Sequence, residues 1–251
     1  MLSIVMLHYG DNQLDLTRRA IQHLKDCTVE PYELIVWVNG GWQDESVDCI
    51  RHMAQVMGTK ERLSIAAAYN LAVKNARGTK ICIIHNDCFP SDGWDTVLLG
   101  ALSERNIVFP TVDTNEELAA ARGIPPAPKG MPPSCCFMIS RKFLDELGWW
   151  DEQFEFCHFE DLDLFQRALD AGGKLVRGGT RVMHIRGVTR ADQVDEANRA
   201  YDINKYKYAD KHGYGIPYPT IGEFENEQVD RGSECRHRDV PRDSVRRPAQ
   251  E

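Results

Sequence analysis

The sequence contains no apolar run longer than five residues. A helix that crosses a bilayer needs about 20, so no transmembrane anchor is expected. The start, Met1-Leu2-Ser3, lacks a basic segment followed by a long apolar one, so no secretory signal is expected. Several motifs are missing as well. None of the eight cysteines forms a Cys-x-x-Cys pair, and no two histidines have zinc-site spacing. There is no G-x-G-x-x-G, no Walker P-loop and no G-x-S-x-G. Without a P-loop, a bound nucleotide would need a metal and strand-end loops to hold its phosphates. Positive charge is also scarce: 30 Lys and Arg stand against 38 Asp and Glu, a formal net charge of −8. That balance argues against a general nucleic-acid binder, whose affinity rests on basic residues meeting phosphates. The cysteines read as reduced thiols in a cytoplasmic protein.

The 251 residues suffice for one large α/β domain with a short appendage. Residues 2–7, 33–38 and 80–84 are short apolar runs that stop at polar clusters, and they read as buried strands. Helical spacing follows the first run at Leu16, Ala20, Leu24 and Cys27. It precedes the third at residues 66–76, with Ala67, Leu71 and Lys74 on one side and Gly78 as the cap. Residues 92–102 continue as helix and 107–110 as strand. Residues 123–133 hold five prolines and read as a loop over the fold. Strand returns at 134–139, then a helix at 141–147 closed by Gly148, and a stronger helix at 160–171 with Leu162, Phe165, Gln166 and Leu169 as its stripe. Strand-like pieces at 175–176 and 182–184 precede a polar helix over 191–211. Alternating strands and helices predict a Rossmann-like, mostly parallel central sheet flanked by helices. The expected division is a single domain over 1–215, including a C-terminal helix, and a loosely ordered extension over 216–251. From Arg231 to Glu251 six arginines stand against four acids; a solvated tail is the plainer reading.

Open parallel sheets bind ligands beyond the carboxyl ends of their strands. His8-Tyr9, Asn39-Gly40-Gly41 and His85-Asn86-Asp87 occupy three such ends. Asp87 has the position of a carboxylate shared between Mg²⁺ and phosphate; on spacing alone a cap of the next turn is the favoured reading. Glu160, Asp161 and Asp163 open a helix, where the dipole favours negative charge by about 0.3–1 kcal/mol each. The same crowding raises one carboxyl's pKa and suits a general base. His184 lies on a strand, where a histidine is more often a core residue than a ligand.

Taken in order, these residues resemble family 2 glycosyltransferases of the GT-A fold, with a rhamnosyltransferase-like motif set. The likeness runs over about residues 3–190. Residues 3–9 look like that family's S-I-V-x-P-T-Y strand, and Asn39-Gly40 sits at its D-D-G-S turn. Ala68-Tyr69-Asn70 looks like its A-x-N helix start, and residues 83–90 lie over its D-x-D region. Residues 147–154 resemble G-x-F-D-E-x-F, and Phe159 to Leu164 with Arg167 resembles F-E-D-x-D-L-x-x-R. His184 matches a late histidine found in many members. The resemblance implies a nucleotide-sugar donor (UDP- or another NDP-sugar), a hydroxyl acceptor and inversion at the anomeric carbon. It implies Mn²⁺ or Mg²⁺ at Asp87, with His184 completing the shell. Asp161 would be the base, with Glu160 and Trp150 near the acceptor. Tyr9, Asn39, Asn70 and Asn86 would line the nucleotide pocket beside Asp87. Two positions depart from the pattern: His85 replaces the first acid of D-x-D, and Val38 the first acid of the D-D-G-S turn. They keep open a non-catalytic nucleotide-sugar-binding module on the same scaffold. A nucleotidyltransferase is the third reading. A nucleic-acid acceptor for the Arg-rich tail is not favoured.

Overall fold

A computed structural model describes residues 1–10, 13–41, 44–114, 120, 130–185, 194–214 and 218–221. The strands are β1 (Leu2–His8), β2 (Tyr32–Asn39), β3 (Gln55–Thr59), β4 (Lys80–Ile84), β5 (Cys88–Pro90), β6 (Asn106–Thr114), β7 (Cys136–Ser140) and β8 (Lys174–His184). The helices are α1 (Leu14–Cys27), α2 (Asp44–Arg51), α3 (Ile65–Lys74), α4 (Trp94–Ala101), α5 (Arg141–Leu147), α6 (Glu160–Asp170) and α7 (Val194–His212). All eight strands join one sheet in the order β3-β2-β1-β4-β7-β6-β8-β5. Four pairings are parallel and three antiparallel, so the sheet is mixed.

The central strands β1, β2 and β4 are covered on both faces, which is why they read as near-continuous apolar runs rather than alternating. All seven residues of β1 are buried. Val5 and Leu7 enter a core with α3, α5 and α6, while Leu2, Ile4 and Met6 enter a second core with α1, α2 and α4. Successive side chains point to opposite faces, so one strand serves both cores.

Several expectations shift. The buried side of α3 is Ala66, Ala68, Tyr69, Ala72 and Val73, and Leu71 is 36% exposed. Small residues on that side let the helix approach the sheet closely. Gly78 does not cap α3, which ends at Asn75. A Cβ on Gly78 would lie 2.4 Å from Ser3 Oγ, so glycine is needed there for close approach. The two strand-like pieces after residue 174 are one strand, β8, running through Gly178. A Cβ there would meet Leu98 of α4 at 2.4 Å. α2, β3 and β5 carry no clear periodicity in sequence. β3 is a half-exposed edge strand and β5 has only three residues.

Most of the region expected to be an extension, and residues 121–129 of the proline-rich segment, lie outside the described residues. Within 218–221, Tyr218 and Ile221 pack on the core that holds α6. Ile221 N–H donates to Gly130 O at 3.0 Å. No helix among the described residues is long and apolar enough to cross a membrane.

Candidate functional site

β1 leads on to β2 and β3 on one side, while its parallel neighbour β4 borders the antiparallel half of the sheet. The crevice between the ends of β1 and β4 is therefore the switch point where open α/β sheets bind ligands. A cavity of about 440 Å³ opens there. Tyr9 follows β1, and His85, Asn86 and Asp87 follow β4; all four line it.

The turn after β4 is fixed from three sides. Cys88 N–H donates to His85 O at 3.2 Å, His85 N–H to Cys135 O at 2.9 Å, and Ile185 N–H to Asp87 O at 3.0 Å. Cys88 pairs with His184 across the antiparallel β5–β8 ladder. This register places His184 Nε2 3.2 Å from Asp87 Oδ1. The His85 and His184 rings meet edge to face, centroids 5.7 Å apart. One ligand atom from each of His85, Asp87 and His184 lies within 4.8 Å of the others. A buried carboxylate with two imidazoles is a set able to hold a divalent cation. Burial disfavours the charged Asp87, yet His184 and then His85 beside it hold its carboxyl below the usual range. Burial also opposes a charged His184, and the Asp87 carboxylate outweighs it, so this imidazole is raised. His85 is lowered, chiefly by burial.

Across the cavity, α6 begins after a strained approach. Phe156, His158 and Phe159 have φ of 52°, 75° and 74°, a region that aromatic residues rarely adopt. Asn204 of α7, fully buried, holds this backbone. Its amide donates to the carbonyls of Glu155, Cys157 and His158 at 2.7, 2.9 and 3.0 Å and accepts from Glu155 N–H at 3.0 Å. Glu160 and Asp161 emerge from this segment into the cavity. Glu160 is 7% exposed, and its Oε2 has no hydrogen-bond partner among the described residues. Burial first, and then the neighbouring Asp161, push its carboxyl well above the usual range. Asp161 Oδ1 accepts from Leu162 N–H at 2.8 Å. Asp163 turns inward instead: Arg167, Lys211 and His212 each reach it at 2.8 Å, tying α7 to α6.

Trp150 lines the cavity and stacks on Tyr69 at 5.2 Å with 28° between planes. Asn70 brackets it, donating to Trp150 O at 2.9 Å and accepting from Trp150 N–H at 3.1 Å. Arg167 bonds the carbonyls of Leu147 and Trp149 on the same turn.

Of the residues singled out in sequence, Tyr9, Asn86, Asp87, Trp150, Glu160, Asp161 and His184 share the cavity. Asn39 and Asn70 do not line it. Asn39 clamps Leu63, with both its amide oxygen and nitrogen bonded to that backbone. Asn70 sets the Trp150 turn. Even Asn86 directs its amide away, to Gln13 and Thr17 of the α1 start, each at 3.0 Å. Sequence reasoning missed Arg62, whose guanidinium lies 5.0 Å from the Tyr9 ring centroid and 4.3 Å from that of Phe156. It also missed Tyr201 and Tyr218 on the cavity wall. None of the three lies in a recognisable pattern. His85, read as a departure, is an imidazole beside Asp87.

Residues 3–120 match the profile of the family described as Glycosyl transferase family 2. No curated protein matches the chain. Among solved structures, the fold is similar to the mannosyltransferase PcManGT from Pyrobaculum calidifontis in complex with GDP-Man and Mn²⁺. The TM-score is 0.62 at 15% identity, over 87% of this chain and 65% of that one. GalNAc-T7 with UDP, GalNAc and Mn²⁺ gives 0.60 at 17% identity, over 74% and 44%. Residues 1–349 of S. aureus TarS in complex with UDP-GlcNAc give 0.51 at 12%, over 74% and 56%. The chain spans less than two thirds of the length of each. At these identities the likeness is one of fold.

Proposed function

Residues 3–120 belong to glycosyl transferase family 2, and on that premise we propose that the protein is a metal-dependent inverting glycosyltransferase, moving a sugar from a nucleotide-sugar donor to a hydroxyl acceptor. One observation carries the reading: the His85, Asp87 and His184 set and the Glu160 and Asp161 pair, delivered by separate segments, open into one cavity at the switch point of the sheet. A divalent cation bound at the first set would neutralise charge developing on the departing diphosphate. Two imidazoles with one carboxylate favour Mn²⁺ over Mg²⁺, which prefers oxygen ligands.

Asp161 is the general base. It takes the proton of the acceptor hydroxyl as that oxygen bonds to the anomeric carbon, and the nucleoside diphosphate leaves from the opposite face with the bonding electrons. A single displacement of this kind inverts the centre. Glu160, whose carboxyl is raised chiefly by burial, is suited to donate a hydrogen bond rather than to take the acceptor's proton. Tyr9 and Arg62 border the nucleotide side, and the buried Trp150 lines the acceptor side. Asn39, Asn70 and Asn86 position the surrounding loops. The acidic chain does not favour a nucleic-acid acceptor. A reducing, cytoplasmic setting suits the seven free cysteines among the described residues.

The test is a thermal-shift panel of UDP- and GDP-sugars with and without Mn²⁺. Metal-dependent stabilisation by one donor is expected, followed by transfer of its sugar or hydrolysis in the absence of acceptor. No donor response in the presence of Mn²⁺ would remove the donor-site reading. Metal-dependent binding without any turnover would favour the non-catalytic module that His85 and Val38 keep open.

A further inference from the structure

A second cluster of ligand atoms adjoins the Asp87 side of the cavity and shares only His184 with the donor-cation set. Cys88 ends the turn that carries Asp87, opposite His184 in the ladder. Cys135 immediately precedes β7, and its carbonyl accepts from His85 N–H at 2.9 Å and from the Cys88 thiol at 3.5 Å. One ligand atom from each of Cys88, Cys135 and His184 lies within 4.8 Å of the others. The two cysteines are 0% and 4% exposed.

Buried thiols commonly act as small apolar filler. Cys82 and Cys136, equally buried in the strands nearby, fit that role, because no histidine or carboxylate converges with them in such a set. Cys88 and Cys135 differ in sharing an imidazole. A tetrahedral zinc, with Zn–S of about 2.3 Å and Zn–N of about 2.0–2.1 Å, spaces its ligand atoms roughly 3.3–3.8 Å apart. The present cluster, with its ligand atoms within 4.8 Å of one another, reaches that spacing with a closure of at most about 1–1.5 Å. Two thiolates cancel the charge of a dication in a site that water reaches poorly. Soft sulfur ligands select zinc-class ions over Mn²⁺ and Mg²⁺.

We propose that Cys88, Cys135 and His184 form a binding site for a thiophilic cation of the zinc class, and that its occupancy withdraws His184 from the cation site at Asp87. Loading releases the two thiol protons, together with the extra proton of His184 wherever that imidazole is charged, and transfers no electrons. A neutral imidazole coordinates one cation; bridging two requires loss of its remaining ring proton. The two ligand sets are therefore mutually exclusive around neutral pH. The thiolate site stands on its own residues, and the exclusion rests on the proposed donor-cation site.

The full chain, reduced and stripped with chelator, is titrated with Cd²⁺, whose thiolate bond gives an ultraviolet charge-transfer band. Zinc X-ray absorption is measured on the same protein with one equivalent of Zn²⁺. The expected results are a band saturating at one ion per chain and a shell of two sulfurs at about 2.3 Å. Cys88→Ala and Cys135→Ala should each abolish the saturable band, while Cys49→Ala should keep it. A shell of nitrogen and oxygen alone, or a band that survives both alanine variants, overturns the site. The wild-type sulfur shell decides the matter should a variant misfold. Mn²⁺ binding is then followed by paramagnetic resonance. Zn²⁺ should displace Mn²⁺ from the wild type at about tenfold lower concentration, or less, than from the double variant. Equal concentrations overturn the exclusion. A wild type that gives the thiolate band and binds no Mn²⁺ supports the thiolate site and overturns the donor-cation reading instead.

Discussion

Glu160, Asp161 and Asp163 lie within one helical turn and meet three environments. Asp163 is spent on Arg167, Lys211 and His212. Glu160 is buried with one oxygen unpaired, and Asp161 keeps a carboxylate at the cavity. Asp161→Asn should therefore lower turnover by about 10²–10⁴-fold and leave donor binding, read by calorimetry, within about twofold, since in the proposed mechanism the residue acts on the acceptor. Unchanged turnover would take Asp161 out of the reaction. Glu160→Gln should behave otherwise. A carboxyl raised in the folded state binds its proton more tightly there than in the unfolded chain. Its contribution to stability is complete below its ordinary value of 4.5 and is lost as pH rises through the folded value. Glutamine mimics the neutral acid, so melting temperature should fall less between pH 4.5 and mildly alkaline pH in the variant than in the wild type. Parallel melting curves in the two proteins would show that Glu160 is charged. The acid cluster itself was legible in sequence. Which acid does what was not, because the sorting depends on α7, 30 to 50 residues away in the chain.

At the scale of elements, the approach to α6 stores backbone strain in residues 156–159 and delivers two acids at a fixed angle. Strain of this kind, about 1–3 kcal/mol per residue, persists only when the surroundings over-determine it. Asn204 supplies that constraint with four hydrogen bonds. Asn204→Ala should cost about 1–3 kcal/mol in denaturant unfolding and lower kcat, with the melting point still above the assay temperature. A variant that loses stability and keeps kcat would limit Asn204 to a structural role. In sequence Asn204 is one polar residue in a polar helix, and nothing marks it. The elements that were legible, β1, β2, β4, α1 and α6, have apolar patterns long enough to fix their period. β3 was illegible because a half-exposed edge strand carries little apolar signal, and β5 because three residues are too few to set a period.

At the scale of the whole molecule, Glu33 joins three segments at the end of the sheet opposite the cavity. It accepts from the Ser3 hydroxyl of β1 at 2.6 Å, from Arg77 N–H and Nε at 2.6 and 2.9 Å, and from Gly78 N–H at 3.1 Å. Burial penalises its charge, and the bonds from Ser3 and Arg77 outweigh this, so the carboxyl is held below 4.5. A depressed carboxylate contributes stability above its unfolded value and loses it as pH falls through the folded value. Glu33→Gln should destabilise the protein at neutral pH by about 1.5–3 kcal/mol and flatten the acid limb of the stability curve below pH 4.5. An unchanged acid limb would mean that Ser3 and Arg77 do not sense its charge.

The sequence by itself determined the α/β class, the buried strands and the residues at their carboxyl ends. Short apolar runs followed by polar clusters are local patterns that only a sheet covered on both faces accommodates. It also marked Asp87, Asp161, Trp150 and His184, because each sits at an element boundary or in an ordered motif. Only the tertiary structure decided which of them meet. His184 reaches Asp87 through the β5–β8 register, a pairing of segments about 100 residues apart; the same register brings Cys88 to the imidazole, and the β4–β7 pairing brings Cys135. Asn39 and Asn70, alike in sequence standing, were turned into backbone clamps by loops that the chain places beside them only when folded. Convergence of distant side chains follows from packing, and packing leaves no period in the sequence.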